Sequence, residues 1–412
     1  MNEKDNNNLQ VAVQTDKSVI SPNKSSTRIV EINLTAPPAP NNQPRVPLNL
    51  SLVLDRSGSM HGEKLHYVKQ AAAHVIDFMR EEDSVTVVTY DDSVQTLANS
   101  QSLTQQVKAE IKTKIMGVET GSSTFLYGGW LAGCRSVAER ATDFSFSRTL
   151  LLTDGLANVG ERRLGPLSIH AQELFMRGIS TSCFGVGSDY DEHLLEAMAN
   201  LGGGNFHFLE TVNAIPLVFE REFDEIINVV FRDVKIHLTL PESVTVEVSA
   251  NWHSEREKDH LTIYLGSMTA DQELPVYLQL TNGGAGTKES LLIPVRVTGK
   301  DAEQVNHELM ATISLKAVPE AEEAAEKQDP EVMRRFAVVD LADKANEALK
   351  REREGDRAGS SQMMRDSLSL HSRSVPKSIQ EKYQKLSDDM QIGLCNTFSV
   401  NSSQKYPLLF NN

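Results

Sequence analysis

The sequence predicts an α/β domain of the doubly wound type, set into an all-β sandwich and followed by a small helical segment. Three observations lead there. Between residues 46 and 230, short apolar runs bounded by turn residues alternate with amphipathic stretches of helical period. On both sides, residues 11–35 and 231–318 read as strands without intervening helices. From Pro319 the chain turns acidic and Ala-rich, then helical.

The first ten residues, MNEKDNNNLQ, are Asn-rich and read as a disordered tail. Val11 and Val13 alternate with polar neighbours, and STRIVEINL (Ser26 to Leu34) is β-rich, so 11–35 supplies the first part of the sandwich. Five prolines in APPAPNNQPRVP (Ala36 to Pro47) exclude helix and central strand, and mark a linker over 36–45.

In the α/β domain, 46–230, strands are predicted at Leu48–Leu54, Ser84–Tyr90, Arg148–Thr153, Ile179–Val186 and Asn205–Leu209, with an antiparallel edge partner at Val94–Leu97. Helices fit Glu63–Arg80, Thr104–Ile115, Gly128–Arg140, Gly165–Arg177, Asp191–Ala199 and Ala214–Val230. The first carries Leu65, Val68, Ala72 and Ile76 on one face. The last runs without proline or glycine into the strand Phe231–Leu240, so a shift of that helix would pull on the sandwich.

VKIHLTL, VTVEVSA, HLTIYLG, LPVYLQL and SLLIPVRV build the second part of the sandwich over 231–318, with a turn at Asn282-Gly283-Gly284. The acidic run Glu320 to Glu326 reads as a solvated linker or helix face. Helices are expected at Glu331–Glu354, Arg357–His371 and Pro376–Gln391 within a segment 319–395 that offers a partner-binding surface; 396–412 shows no periodicity.

Composition narrows the function. At 412 residues and 40% hydrophobic, the chain can bury two or three cores. A formal net charge of −15 without a basic cluster disfavours nucleic-acid binding. No stretch approaches ~20 unbroken apolar residues and no signal-type leader stands at the start, so a cytoplasmic chain without membrane insertion is expected. Cys134, Cys183 and Cys395 are widely spaced and suggest plain thiols.

Chemistry concentrates in three loops. The first strand ends in Asp55-Arg56-Ser57-Gly58-Ser59-Met60, one carboxylate and two hydroxyls on a sharp turn, and a later strand ends in Thr153-Asp154-Gly155. With strand order 3-2-1-4-5-6, these two strands are neighbours and their carboxyl ends flank the crevice where ligands bind. Two adjacent carboxylates repel unless a cation separates them, and hydroxyl and carboxylate oxygens suit Mg²⁺, Mn²⁺ or Ca²⁺. The glycine-flanked loop Glu119 to Gly129 can bring a further hydroxyl, Thr124, into the crevice.

D-x-S-x-S, a loop threonine and T-D-G resemble the metal-ion-dependent adhesion site of von Willebrand factor type A domains, with a match at Asp55, Ser57, Ser59, Thr124 and Asp154. The flanks VPLNLSLVLDRSGSM, LLTDGLANVG, ISTSCFGVGSD and GGGNFHFL extend the resemblance over roughly 46–230, nearest to the bacterial and inter-alpha-trypsin-inhibitor heavy-chain branch. It implies a Rossmann-like fold and an ion, Mg²⁺ first, held by the three hydroxyls and, directly or through water, the two aspartates. An acidic residue of a partner protein then fills the open coordination position. The chain is expected to bind and not to catalyse. The alternative partner is an AAA+ (MoxR-like) ATPase, for which it would be a substrate adaptor.

Rival readings fit less well. A haloacid-dehalogenase-type phosphotransferase needs a second carboxylate where Ser57 stands, and an α/β-hydrolase needs G-x-S-x-G. A metal-dependent hydrolase lacks a spaced His or Glu base. Gly185-Val186-Gly187 lacks its third glycine. His61 and His66 are five apart and point to different helix faces; His61 reads as solvated surface before a residue lining the rim of the site. Asp91-Asp92 reads as a turn before a second ion site.

Overall fold

A computed structural model describes residues 8–39, 47–141, 146–154, 157–186, 192–209, 215–250, 252–284, 290–301, 303–353, 355–372 and 374–392. Gly155, Cys395, the GVGSD turn from 187 onward, most of the expected linker and the tail 396–412 lie outside them.

The chain begins with β1 (Gln10–Thr15), β2 (Val19–Ile20) and β3 (Ser26–Thr35). The α/β unit follows: β4 (Leu48–Asp55), α1 (Glu63–Phe78), β5 (Ser84–Tyr90), β6 (Val94–Ser100), α2 (Gln105–Met116) and α3 (Leu126–Ala138). Then come β7 (Phe146–Thr153), α4 (Leu164–Met176), β8 (Ile179–Val186), α5 (Glu192–Leu201), β9 (Gly203–Leu209) and α6 (Ile215–Ile227). The chain returns to strands in β10 (Val229–Thr239), β11 (Val244–Val248), β12 (Ser254–Glu257), β13 (His260–Thr269), β14 (Glu273–Asn282), β15 (Ser290–Asp301) and β16 (Asn306–Ala317). It closes with α7 (Glu320–Ala325), α8 (Pro330–Arg353), α9 (Arg357–His371) and α10 (Lys377–Ile392).

The α/β sheet has the order β6-β5-β4-β7-β8-β9, parallel except for β6, which pairs antiparallel with β5. Strands β4, β5, β7 and β8 are buried along their whole length, which is why they read as unbroken apolar runs and not as alternation. Helices cover both faces. On one face, Leu50, Leu52 and Leu54 pack with Leu65, Val68 and Ile76 of α1, Ile111 of α2 and Phe219 and Phe223 of α6. On the other, Val53, Val88 and Leu151 pack with Trp130 of α3, Leu167 of α4 and Leu194 of α5.

The flanking strands form two packed sheets, β1-β3-β14-β11 and β12-β13-β10-β15-β16-β2, with Ile32, Leu34 and Val276 of the first meeting Ile236, Ile263, Ile293 and Ile313 of the second in one core. Strand β3 pairs with β14 from Ser26↔Asn282 to Thr35↔Glu273, so the α/β unit is inserted between two strands of the same sheet.

The structure moves several expected boundaries. Leu9 is buried in the sandwich core and Gln10 opens β1, so ordered chain begins inside the expected tail 1–10. Ala36 and Pro37, expected in the linker, still bond backbone to backbone with Gln272 and Asp271. The last α/β helix ends at Ile227 and not at Val230, because Val229 and Phe231 already pair with β13. Strands β2, β12 and β16 were not anticipated. Two residues are too few to show a period in β2, SERE in β12 is wholly exposed, and only in β16 did Leu309, Ala311, Ile313 and Leu315 offer a readable alternation.

The acidic run is not merely solvated. It forms α7, where Glu323 is buried against the guanidinium of Arg28, and Glu326 beyond it accepts from the Ser18 hydroxyl at 2.6 Å. Further along, Arg335 Nε donates to Glu31 Oε2 at 2.9 Å, and Val332 and Phe336 pack on Ile29 and Tyr277. The helical segment is thereby fastened to the sandwich, while α8, α9 and α10 share a core of their own around Leu341, Met364 and Leu386. Among the described residues no helix is long and apolar enough to cross a membrane.

Candidate functional site at the carboxyl edge of the α/β sheet

Strands β4 and β7 are parallel neighbours, with Leu54 opposite Leu152, so Asp55 and Asp154 emerge side by side at their carboxyl ends. Both are fully buried, as are Ser57 and Thr124, whereas Ser59 is exposed. Three loops are stitched together by backbone. Gly58 N donates to Ser122 O at 2.8 Å and Gly121 N to Arg56 O at 2.6 Å, which ties the Asp55–Met60 turn to the 119–125 loop. Thr124 N donates to Asn158 Oδ1 at 2.8 Å, and Thr124 O accepts from Asn158 N and Val159 N, which ties that loop to the one after Asp154.

The side chains converge as well. Asp55 Oδ1 accepts from Ser57 N at 2.8 Å, and its Oδ2 accepts from the Thr153 hydroxyl at 2.5 Å and the Tyr90 hydroxyl at 3.2 Å. Ser57 Oγ and Ser59 Oγ lie 3.3 Å apart, and Ser59 donates to Asp154 Oδ1 at 2.8 Å. On the other oxygen of Asp154 sits the ammonium of Lys64, 2.5 Å away. The structure therefore joins Asp55, Ser57, Ser59 and Asp154 in one chain of contacts and places Thr124 in the adjoining loop.

Lys64 and Tyr90 belong to the arrangement but carry no signal as isolated residues, while Thr153 and Asn158 stand in the LLTDGLANVG segment without a role assigned from sequence. Lys64 was legible only in retrospect, on the first turn of α1 facing the crevice. Tyr90 reaches Asp55 because α3 approaches its ring at Gly129, where any Cβ would collide with it. Burial raises the Asp55 pKa, against hydrogen bonds from Thr153 and Ser57 that lower it, and Asp154 adds to the rise. Burial and the Asp55 charge together hold Tyr90 well above its ordinary value. The crevice thus strains to keep negative charge, and a cation within it would relieve that strain.

The donor set fits a hard dication. It consists of carboxylate and hydroxyl oxygens, the ligands such an ion prefers. Asp91 is a turn residue: its Oδ1 accepts from Ser93 N at 2.9 Å and Ser93 Oγ at 2.8 Å, and its Oδ2 faces Arg56 at 3.1 Å. His61 and His66 are both exposed and line one shallow depression with Glu119 and Thr120. Cys134 and Cys183 are buried free thiols.

A doubly wound sheet with this oxygen-rich crevice at its switch point defines a class of ligand-binding α/β module. Residues 49–221 match the family model of the von Willebrand factor type A domain, so the chain carries such a domain, a module commonly used for protein–protein interaction. The chain is related to the uncharacterized protein YfbK of Escherichia coli, 29% identical over 57% of this chain and 42% of that one. It is related also to human inter-alpha-trypsin inhibitor heavy chain H3, 25% identical over 66% of this chain and 31% of that one. The chain thus spans less than half the length of either relative. A von Willebrand factor type A structure from Catenulispora acidiphila shares the fold with a TM-score of 0.72 at 16% identity, over 91% of this chain and 88% of that one. The ArnB paralog VWA2 of Sulfolobus acidocaldarius does so with a TM-score of 0.64 at 15% identity, over 94% and 96%. Because both cover nearly the whole chain, the likeness in fold extends beyond the α/β unit to the sandwich and the helices.

Proposed function

We propose that this chain is a divalent-cation-dependent protein-binding module and not an enzyme. In this reading Asp55, Ser57, Ser59, Thr124 and Asp154 hold Mg²⁺, with Mn²⁺ or Ca²⁺ as substitutes. The observation that carries it is the 2.8 Å bond from Ser59 to Asp154, which closes two distant loops around two buried carboxylates. A bound dication would neutralise those carboxylates and offer an open coordination position to an Asp or Glu of the partner. The protein's own part is to hold the loops: Ser57 N and the Thr153 and Tyr90 hydroxyls fix Asp55, while Asn158 fixes the Thr124 backbone.

The test is a pull-down with and without chelator, together with calorimetric titration of Mg²⁺, Mn²⁺ and Ca²⁺. Partners that need the cation and are lost with Thr124→Ala support the reading, since that variant keeps the backbone anchor while removing a hydroxyl. An AAA+ ATPase among them would identify the chain as its adaptor. Absence of cation binding at the cluster overturns the proposal. So does cation-dependent hydrolysis of phosphoester or peptide substrates that disappears in Asp55→Ala and Asp154→Ala, by pointing to an enzyme.

A further inference from the structure

At the opposite end of the α/β sheet from the carboxylate cluster lies a second cavity, of about 330 Å³, between that sheet and the sandwich. Its floor is the start of β7 and β8, at Phe146, Ser147 and Ser180, with the end of α4 beside them. Its far wall is the sandwich, from which Arg232, Lys235 and Lys300 enter; Arg177 completes the ring from the α/β side. Four cationic side chains thus line one cavity in a chain of net charge −15.

Arg232 is the informative member. It stands in a β-bulge: the β10 register against β13 slips between Phe231 and Val234, and Asp233 has a left-handed φ of 52°. The bulge leaves Arg232 without a partner in β13, while on the other side it still pairs with Lys300 of β15. The residue is more than nine-tenths buried, yet among the described residues its guanidinium makes one long hydrogen bond, from Nη2 to Asp301 O at 3.3 Å, and its buried Nε finds no partner. Burial lowers its pKa to about 10, with the Asp301 charge opposing the fall. The Asp301 carboxylate itself is engaged by Glu303 N, Val305 N and His307 Nε2. Asp233, the one carboxylate lining the cavity among the described residues, is half-exposed and lies 2.8 Å from Lys235 Nζ.

A buried guanidinium normally has carboxylate or phosphate oxygens filling its planar donor fork. Arg232 instead lines a cavity that it shares with further cationic side chains. We propose that this cavity is a binding site for a small phosphate-bearing molecule, with Arg232 gripping the phosphate and Lys235 and Lys300 neutralising it. The volume suits a small ligand. Because its walls come from both units, an occupant ties the α/β domain to the sandwich.

The inference stands apart from the carboxylate cluster and is tested apart from it. Inorganic phosphate, pyrophosphate and adenosine monophosphate are titrated into the full chain, followed by calorimetry and by ³¹P resonance shift. Binding is expected for the wild type and for Asp55→Ala alike. It weakens about ten-fold in Arg232→Gln and by less in Lys300→Ala, whose side chain has no buried partner to strand. Tighter binding of adenosine monophosphate than of inorganic phosphate assigns the cavity to a phosphate carried on an organic body; equal binding assigns it to free phosphate. Near-ultraviolet dichroism checks that each variant is folded. No binding of any probe, or binding that Lys235→Ala and Lys300→Ala leave unchanged, overturns the proposal.

Discussion

The ammonium of Lys64 lies 2.5 Å from Oδ2 of Asp154, a carboxylate with no exposure to solvent. A protein cation thus already rests where the proposed metal ion would draw on the same oxygen. The ammonium is partly exposed on the first turn of α1, so it is free to swing outward when displaced. Removing it deletes a competitor of like charge, and Lys64→Met is expected to raise Mg²⁺ affinity several-fold. Calorimetric titration of the two proteins measures this. Lower affinity in the variant would instead make Lys64 an aid to the site.

Asp55 has two roles that two substitutions separate. It supplies charge, and it accepts hydrogen bonds from Ser57 N, Thr153 and Tyr90. Asp55→Asn keeps one acceptor oxygen for Ser57 N and sets an amide NH2 toward the Thr153 and Tyr90 hydroxyls, which can turn to accept from it; it is expected to lose cation binding with little loss of stability. Asp55→Ala strands buried donors at about 1–3 kcal/mol and is expected to melt measurably lower as well. Titration and thermal unfolding of both variants check the contrast, and unchanged cation affinity in either would count against Asp55 as a ligand.

Helix α6 is locked to the sheet by a buried charge network. Glu222 Oε1 meets Arg148 Nη1 at 2.8 Å and the Ser182 hydroxyl at 2.5 Å, while its Oε2 meets His207 Nε2 at 2.8 Å. Burial opposes ionisation of Glu222, but Arg148 and His207 hold its pKa well below the carboxylate range. Glu222→Ala would leave Arg148 buried and unpaired, at a cost of about 3–5 kcal/mol, read by urea unfolding. If α6 must shift when the metal site is occupied, the same variant changes cation affinity too, whereas a static helix leaves it unaltered.

Asp343 of α8 accepts from the backbone N–H of Ala250 at 2.6 Å, and Ala250 holds a left-handed φ of 64°. Burial, and to a lesser degree the Asp340 charge, push the Asp343 pKa up to about 6 from 3.8. The folded chain therefore retains this proton where the unfolded chain has released it. Its contribution to stability is complete below pH 3.8, falls as pH rises, and is lost above about 6. Asp343→Asn keeps the acceptor without the charge. It is expected to be more stable than the parent above pH 6 by an amount on the order of 1 kcal/mol, with the advantage vanishing at acid pH. Unfolding curves of both proteins across that range measure the difference; a gap that does not narrow on acidification would exclude Asp343 as its source.

The order of the central sheet was readable because its strands are buried on both faces and its helices keep one apolar stripe, so Leu50 to Leu54 and Leu65 to Ile76 declare themselves locally. The turn Asp55 to Ser59 was readable for the same reason, since its chemistry is contiguous. Lys64 and Tyr90 were not, because an ordinary lysine or tyrosine acquires meaning only when folding sets it against a distant carboxylate. Glu323 shows the limit most clearly: it looks like one acid among several, and its partner Arg28 lies 295 positions away. The arginine at 232 was invisible for a different reason, since a bulge that turns a side chain depends on two strands failing to match.

The insertion of one unit within another also sets a timetable for synthesis. Thr27 must find Thr281, 254 positions later, before its strand has a neighbour on that side. At about 5–20 residues per second, Ile29, Ile32 and Leu34 wait roughly 10 to 50 seconds on the ribosome for β14 to be made. The strands of the α/β unit pair only among themselves, so that unit can finish within the wait. The nascent chain therefore passes through a stage in which a completed domain trails an unfinished apolar ribbon, and it is then, rather than in the mature protein, that aggregation threatens it most.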